Sequence, residues 1–192
     1  ALEEVTTHQH ARVLLSMVEQ LLSDAGVEFD VIDGIIFGEG PGSFTGVRIA
    51  TSIAKGLAYA HDLPLFPVSG LHAIAFDAAR RFKLPVLTML DARMHQVYWA
   101  FQPTSAQDAV VGSPSTVQLP PETRVTLAGV DFIPYVDALP KAVQEAIVEQ
   151  HTLFPEAQVM IEMVLAGEIQ SVTAESAQPV YVREQVTGDT RG

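Results

Sequence analysis

The sequence predicts an α/β protein, because segments with helical periodicity alternate with short strand-like segments over its first 90 residues. One of these strand-like segments runs directly into a glycine-rich turn that opens a helix. Hydrophobic residues make up 48% of the 192 residues and charged residues 18%, so the chain can bury an apolar core. We expect one substantial domain or two small lobes.

The first helix is predicted to begin at Thr6, because apolar side chains recur from there at spacings of three and four. Thr6 and Gln9 have the spacing of a capping box, and Gly26 supplies a left-handed stop. A short β-branched segment at residues 31–37 then predicts the first strand.

The second helix is predicted over residues 44–61 and is rich in small residues. Each of its interior glycines, Gly46 and Gly56, costs roughly 1 kcal/mol relative to alanine, so we expect close packing against a neighbour to require them. A buried strand at residues 65–68 and a third helix at residues 71–82 follow. The order of elements to this point is α, β, α, β, α.

The second half predicts more strands than helices. Alternating side chains predict two strands, at residues 85–91 and 96–101, joined by a tight connection at residues 92–95. Residues 103–121 are rich in Ser, Thr, Gln and Pro and predict an irregular segment. The remaining predicted elements are a strand at residues 125–129 and two helices at residues 141–149 and 155–166.

Charge and composition exclude several classes of function. Asp and Glu outnumber Lys and Arg by 23 to 11, and the net charge of −12 would repel phosphate backbones, so any link to nucleic acid is expected to run through a partner. The absence of cysteine excludes disulfides and thiolate sites. No apolar run approaches the ~18 residues of a membrane span, and no signal peptide is visible, so we expect a cytoplasmic protein.

Residues 38–48 carry the most specific signal in the sequence. Four glycines and a proline fall within nine residues between a strand and a helix, where backbone amides and the helix dipole can bind an anion. The segment is neither a phosphate-binding loop of the Walker type nor a dinucleotide fingerprint. A ligand loop and a turn that lets the helix pack closely are both consistent with this pattern.

The string GEGPGSFTGVRIATSIAKGLA, at residues 38–58, closely resembles the signature of the TsaB (YeaZ) family of tRNA threonylcarbamoyladenosine biosynthesis proteins. Four further blocks agree with that family in the same order, at residues 9–18, 67–71, 90–98 and 179–183. Together the five blocks span almost the whole chain.

The resemblance implies an actin-like (ASKHA, ribonuclease H-like) fold of two lobes, a paralogue of the catalytic TsaD subunit without its metal site or activity. We expect a first lobe at residues 1–90, a second at residues 91–172, and a C-terminal segment at residues 173–192 that returns to the first lobe. The family opens with a β-hairpin, and this sequence begins after it. We therefore expect the first lobe to be incomplete at its start, as in part of a longer protein.

The implied function is that of a noncatalytic scaffold in the complex that makes threonylcarbamoyladenosine (t6A). In that family TsaB pairs with TsaD, the ATPase TsaE joins them, and a threonylcarbamoyl group passes from threonylcarbamoyl-adenylate to an adenosine of tRNA. No cofactor is assigned to the chain itself, although ATP or ADP can belong to the partner complex. The alternatives are an ASKHA-type phosphotransferase, a metallo-glycoprotease-like enzyme, or a self-associating module.

The resemblance also implies that the first two helices form the surface for TsaD and for a homodimer. The residues expected there are His10, Val13, Leu14, Met17, Val18, Leu21, Val47, Ala50, Ile53, Ala54 and Leu57. The residues that could face an anion or nucleotide are Gly40, Gly42, Ser43, Thr45, Arg48 and Asp91.

No catalytic residue and no metal site are predicted. His8 and His10 lie two residues apart, so on a helix their side chains diverge. Ser43 is expected to cap the second helix rather than act as a nucleophile. For Asp91 we favour a structural ion pair with Arg93, or a partner contact, over a nucleotide contact.

Overall fold

The computed structural model of the chain describes residues 10–182, and the side chains from residue 13 onward. Within these residues the elements follow in this order: α1 (His10–Ala25), β1 (Ile35–Gly40), α2 (Phe44–His61), β2 (Leu65–Ser69), α3 (Gly70–Arg81), β3 (Val86–Asp91), β4 (Val97–Phe101), β5 (Val110–Gly112), β6 (Val125–Val130), α4 (Lys141–Ala146), β7 (Ile147–Thr152) and α5 (Ala157–Leu165). The α/β class predicted from the sequence is confirmed.

The strands form two separate sheets. β1 and β2 pair in parallel as a two-stranded sheet, while the other five strands form a sheet in the order β5-β4-β3-β6-β7. In the larger sheet β3 pairs antiparallel with β4 but parallel with β6, and β6 pairs parallel with β7. The core of this sheet is apolar and includes Leu87, Met89, Val97, Leu127 and Phe132.

α3 lies between the two sheets and contacts both of them. Its side chains Leu71, Ala73, Ile74 and Ala78 are all 0% exposed. The helix also buries His72, whose Nδ1 has no hydrogen-bond partner, and burial lowers the pKa of that imidazole. A neutral imidazole is the form that a low-dielectric site favours.

The predicted start of α1 at Thr6, with its capping partner Gln9, lies outside the described residues. The end of the helix matches the prediction, because Gly26 adopts a left-handed conformation with φ of +65°. α1 packs on α2. α2 has the predicted bounds and ends at His61, and the following residue, Asp62, is also left-handed, with φ of 53°.

The prediction for the first strand was partly wrong. Phe29–Val31 forms a 3₁₀ turn, Val31 is 59% exposed, and β1 begins only at Ile35. The cause is pairing: Ile35 lies opposite Leu65 at the start of β2, so the neighbouring strand determines where β1 begins.

Two predictions for the second half also required correction. The segment expected to be irregular contains the short edge strand β5, which pairs with β4. The helix predicted over residues 141–149 ends at Ala146, and the chain continues as β7, in which half-buried and exposed residues alternate. Parallel pairing with β6 overrides the helical tendency of these residues. The lobe bounds at residues 90/91 and 172/173 remain predictions.

The close packing expected to require the two glycines of α2 is not found within the described chain. A Cβ added at Gly56 would meet no heavy atom within 4 Å, and one at Gly46 would lie 3.5 Å from the Cβ of Ser43, which is an ordinary van der Waals contact. The close approach occurs instead in the large sheet, where a Cβ on Gly129 would overlap the carbonyl oxygen of Met89.

Gly129→Ala is expected to lower the free energy of unfolding by about 3 kcal/mol, since the methyl group would force β3 and β6 apart. Gly56→Ala is the matched control and should raise the free energy of unfolding by roughly 0.5–1 kcal/mol, because alanine is favoured within a helix. Chemical denaturation measures both values. Equal effects of the two substitutions would contradict the close approach at Gly129.

Candidate functional site

A cleft of about 790 Å³ brings together three parts of the chain that are distant in sequence. One wall is the glycine-rich turn with the first turns of α2, the second is the turn between β3 and β4, and the third is the C-terminal end of the described chain. The residues that line it are Pro41, Gly42, Ser43, Phe44, Val47, Arg48, Asp91, Ala92, Arg93, Tyr98, Val180, Tyr181 and Val182.

The glycine-rich turn is shaped by its contact with the C-terminal segment. Gly40 has a φ of +111° and precedes a cis peptide bond to Pro41. A Cβ on Gly40 would lie 3.0 Å from the carbonyl oxygen of Val180, so a side chain there would press on that segment. Ser43 then caps α2, as predicted, because its Oγ accepts a hydrogen bond of 3.4 Å from the backbone N–H of Gly46.

Arg48, which lies on α2, contacts the C-terminal segment through Tyr181. Its guanidinium carbon lies 3.6 Å from the ring centroid of Phe44 and 5.3 Å from that of Tyr181. The Nε of Arg48 also donates a 2.7 Å hydrogen bond to the hydroxyl of Tyr181. Further along the segment, Val180 N–H donates to the carbonyl oxygen of Glu39 at 2.9 Å. These contacts hold Arg48 in one orientation at the cleft.

Asp91 organises the opposite wall. Its Oδ1 accepts hydrogen bonds of 2.7 Å from the backbone N–H of Arg93 and 2.7 Å from the hydroxyl of Tyr135. Its Oδ2 lies 3.2 Å from Nη1 of Arg93, the structural ion pair favoured from the sequence. The bond from Tyr135 raises the pKa of that phenol, because Asp91 accepts its proton in a hydrogen bond. The carboxylate of Asp91 thus has hydrogen-bond and ion-pair partners within the chain.

The turn that carries Arg93 has an unusual backbone. Arg93, Met94 and His95 have φ values of 62°, 54° and 57°, which form three successive left-handed residues without a glycine. Such residues cost of order 1–3 kcal/mol each and persist only where the surroundings hold them. The hydrogen bond from Arg93 N–H to Asp91 is one such restraint.

The structure brings together four of the six residues predicted to face an anion: Gly42, Ser43, Arg48 and Asp91. Gly40 is buried behind the turn, and Thr45 is exposed on α2, so neither lines the cleft. The sequence analysis missed Tyr98 and Tyr181. Tyr98 lies within one of the family-like blocks and Tyr181 within another, and the matched blocks were the only sequence signal for either ring.

The residues predicted for a partner surface on α1 and α2 differ in exposure. Leu21 is 41% exposed, whereas Val13, Leu14, Met17, Val18, Ala50, Ile53 and Leu57 are half-buried. The side chain of His10 lies outside the described residues. Val47 lines the cleft. Ala54 requires a correction, because it is 4% exposed and packs in the chain's own core against Phe37 and Ala177, where a partner cannot reach it.

The described residues hold neither a cluster of metal-ligating side chains nor a helix able to span a membrane. Among the side chains of residues 13–182, no three His, Asp or Glu groups come together as a metal site would require. Of the helices in that range, none combines the length and apolar composition needed to cross a membrane.

Comparisons with known proteins identify the family. The family model TsaD, described as tRNA N6-adenosine threonylcarbamoyltransferase, matches residues 3–178. The TsaB protein of Escherichia coli, named for tRNA threonylcarbamoyladenosine biosynthesis, is 32% identical over 95% of this chain and 84% of its own length. The chain belongs to the TsaB (YeaZ) family. The TsaB protein of Haemophilus influenzae is 39% identical over 100 residues, which are 52% of this chain and 42% of that protein.

A solved structure agrees with this assignment. YeaZ from Pseudomonas aeruginosa superimposes with a TM-score of 0.76 at 36% sequence identity, covering 93% of this chain and 88% of that one. TsaB family membership therefore confirms the actin-like fold class predicted from the resemblance.

Glu39, directly before the glycine-rich turn, offers a pH-dependent test of this region. Burial raises the pKa of its carboxyl above the ordinary value of 4.5. The Glu39 carboxyl therefore makes its full contribution to the free energy of unfolding at pH values below its ordinary pKa. That contribution is lost as the pH rises through the pKa of the folded state. Glu39→Gln has no carboxyl to ionise at this position. The Tm of the variant minus the Tm of wild type should therefore increase as the pH is raised from about 4 to about 8.

The control for this experiment is Glu19→Gln, at an exposed position of α1. Thermal unfolding at a series of pH values gives both differences in Tm. The same pH dependence in the two variants would contradict an effect of burial at Glu39.

Proposed function

We propose that the chain is a noncatalytic subunit of the assembly that makes t6A in tRNA. In this proposal it binds and supports a TsaD-like catalytic subunit, together with a TsaE-like ATPase, and acts in the cytoplasm. It contacts tRNA only through these partners, which is consistent with its charge of −12. No cofactor is assigned to the chain, and any ATP or ADP belongs to the partner complex.

One observation carries the proposal: the similarity to a protein named for t6A biosynthesis extends over 95% of this chain. The match therefore includes both sheets and all three walls of the cleft rather than one shared motif. The TsaD family model matches residues 3–178, which supports a common fold for the chain and the TsaD-like subunit proposed as its partner.

The chemistry of the cleft supports a binding role over a catalytic one. Ser43 has its Oγ at the N-terminus of α2, where it accepts a hydrogen bond from the backbone N–H of Gly46, as a helix cap does. Asp91 accepts hydrogen bonds from Tyr135 and from the backbone of Arg93 and pairs with the Arg93 guanidinium, which are the contacts of a carboxylate that holds the turn in place.

The partner surface proposed for α1 and α2 is supported by apolar side chains that the chain leaves accessible. Leu15 and Leu21 on α1 are 45% and 41% exposed. No part of the described chain covers them fully, whereas helix pairs between subunits bury such residues. We propose the same surface for a homodimer when the chain is alone.

The role as a scaffold is tested by reconstitution. The full chain alone should show no ATPase, peptidase or threonylcarbamoyl-transfer activity, while adding it to the TsaD-like and TsaE-like proteins of the same organism should increase t6A formation on tRNA. Mass spectrometry of digested tRNA measures the product. Turnover by the isolated chain, or t6A formation that does not change when the chain is added, would reject the proposal.

The partner surface is tested by Leu21→Glu, which places a charge in an apolar interface and should weaken self-association or TsaD binding by about tenfold or more. Gln20→Glu adds the same charge at the neighbouring exposed position and is the control. Analytical ultracentrifugation measures self-association, and titration calorimetry measures partner binding. Affinities unchanged by Leu21→Glu would exclude this part of α1 from the interface.

A further inference from the structure

We propose that the cleft is a docking groove for an acidic segment of a partner protein that also carries an apolar side chain. The inference rests on the proposed function, because it names the chemistry of a partner of the same subunit. It uses a surface separate from the exposed leucines of α1.

The edges of the cleft carry the side chains that protein interfaces favour. Phe44 and Tyr181 line the cleft and yet are 59% and 47% exposed. Met94, which follows Arg93 in the turn on the other side, is 70% exposed. Aromatic residues, Met and Arg are enriched at protein–protein interfaces, and the most important contacts there are often Tyr and Arg.

The charge of the cleft is opposite to that of the chain. Among the described residues its lining contains Arg48 and Arg93 but one carboxylate, that of Asp91, which is already paired with Arg93 and bonded to Tyr135. Among the described residues no carboxylate forms an ion pair with Arg48. An acidic group that enters the cleft would therefore meet the Arg48 guanidinium, which has no carboxylate partner among the described residues, and the Arg93 guanidinium, which is exposed to solvent.

A chain segment fits this arrangement better than a small molecule does. Small-molecule sites enclose most of their ligand and place their few polar groups inside a concave pocket. Here the side chain of Arg93 is 84% exposed and the rings of Phe44 and Tyr181 lie at the surface. Groups arranged along the two edges can contact successive residues of an extended segment.

Arg48 is positioned before any partner binds. It lies near the rings of Phe44 and Tyr181 and donates a hydrogen bond to the Tyr181 hydroxyl, whereas at Arg93 the backbone is fixed by its bond to Asp91 and the side chain stays exposed. Side chains that are already ordered lose little conformational freedom on binding, which favours affinity.

The test uses the full chain and a fluorescent peptide of alternating glutamate and phenylalanine as the probe, with a second peptide that has glutamine in place of glutamate. Fluorescence anisotropy should show binding of the acidic peptide, at least about tenfold weaker binding of the glutamine peptide, and a similar loss with Arg48→Glu and Arg93→Gln. Arg124→Glu, at an exposed position outside the cleft, is the matched control and should leave the affinity unchanged.

Arg93→Gln keeps the test valid if Arg48→Glu disturbs the C-terminal segment, because Arg93 is exposed and circular dichroism can verify the fold of each variant. The proposal is overturned if the acidic peptide does not bind, if the glutamine peptide binds equally well, or if Arg93→Gln has no effect. It is also overturned if ADP or citrate binds more tightly than the peptide, since the cleft would then be a small-anion site.

The same variants are then mixed with the TsaD-like and TsaE-like proteins. If wild type forms no complex, the proposed function fails. If wild type and Arg93→Gln form the complex with equal affinity, only the docking groove fails. An affinity that falls with Arg93→Gln but not with Arg124→Glu supports both.

Discussion

The burial of α3 between the two sheets is the constraint on which the rest of the structure depends. Its apolar side chains are fully buried, and it contacts strands of both sheets as well as α5. Burying a leucine or isoleucine contributes roughly 1.5–3 kcal/mol, and Leu71 and Ile74 are each 0% exposed. Because the cleft walls extend from the ends of β1 and β3, the packing of α3 also sets the separation of Arg48 from Asp91.

A second constraint comes from the C-terminal segment, which completes the first sheet's core and one wall of the cleft. Ala177 packs beside Ala54 and Phe37, and Lys55 donates a 2.9 Å hydrogen bond to its carbonyl oxygen. Tyr181 then reaches Arg48. A contact between residues so distant in sequence closes a long loop, which carries an entropic cost that the buried apolar contacts offset. The cleft therefore forms only when the chain folds, because no single motif supplies all three of its walls.

Much of the fold could be predicted from local patterns, but only part of the site could. The bounds of α2, its cap at Ser43 and the ion pair of Asp91 with Arg93 follow from residues close together in sequence. Tyr181 could not be placed beside Arg48 in this way, because only the path of the backbone brings them together. The burial of Ala54 was mispredicted for the same reason, since helical periodicity does not reveal what covers a small residue.

The sequence by itself determined the α/β class, the family and the position of the glycine-rich turn, because each depends on residue order and on local backbone preferences. Tertiary structure decided where β1 begins, that residues 147–152 form a strand, and that three distant segments share one cleft. The physical reason is that strand pairing and side-chain burial are satisfied by partners far along the chain, and such contacts outweigh local propensity. Tertiary structure also decided how charge is distributed, because it places two arginines in the lining of one cleft although the chain has a net charge of −12.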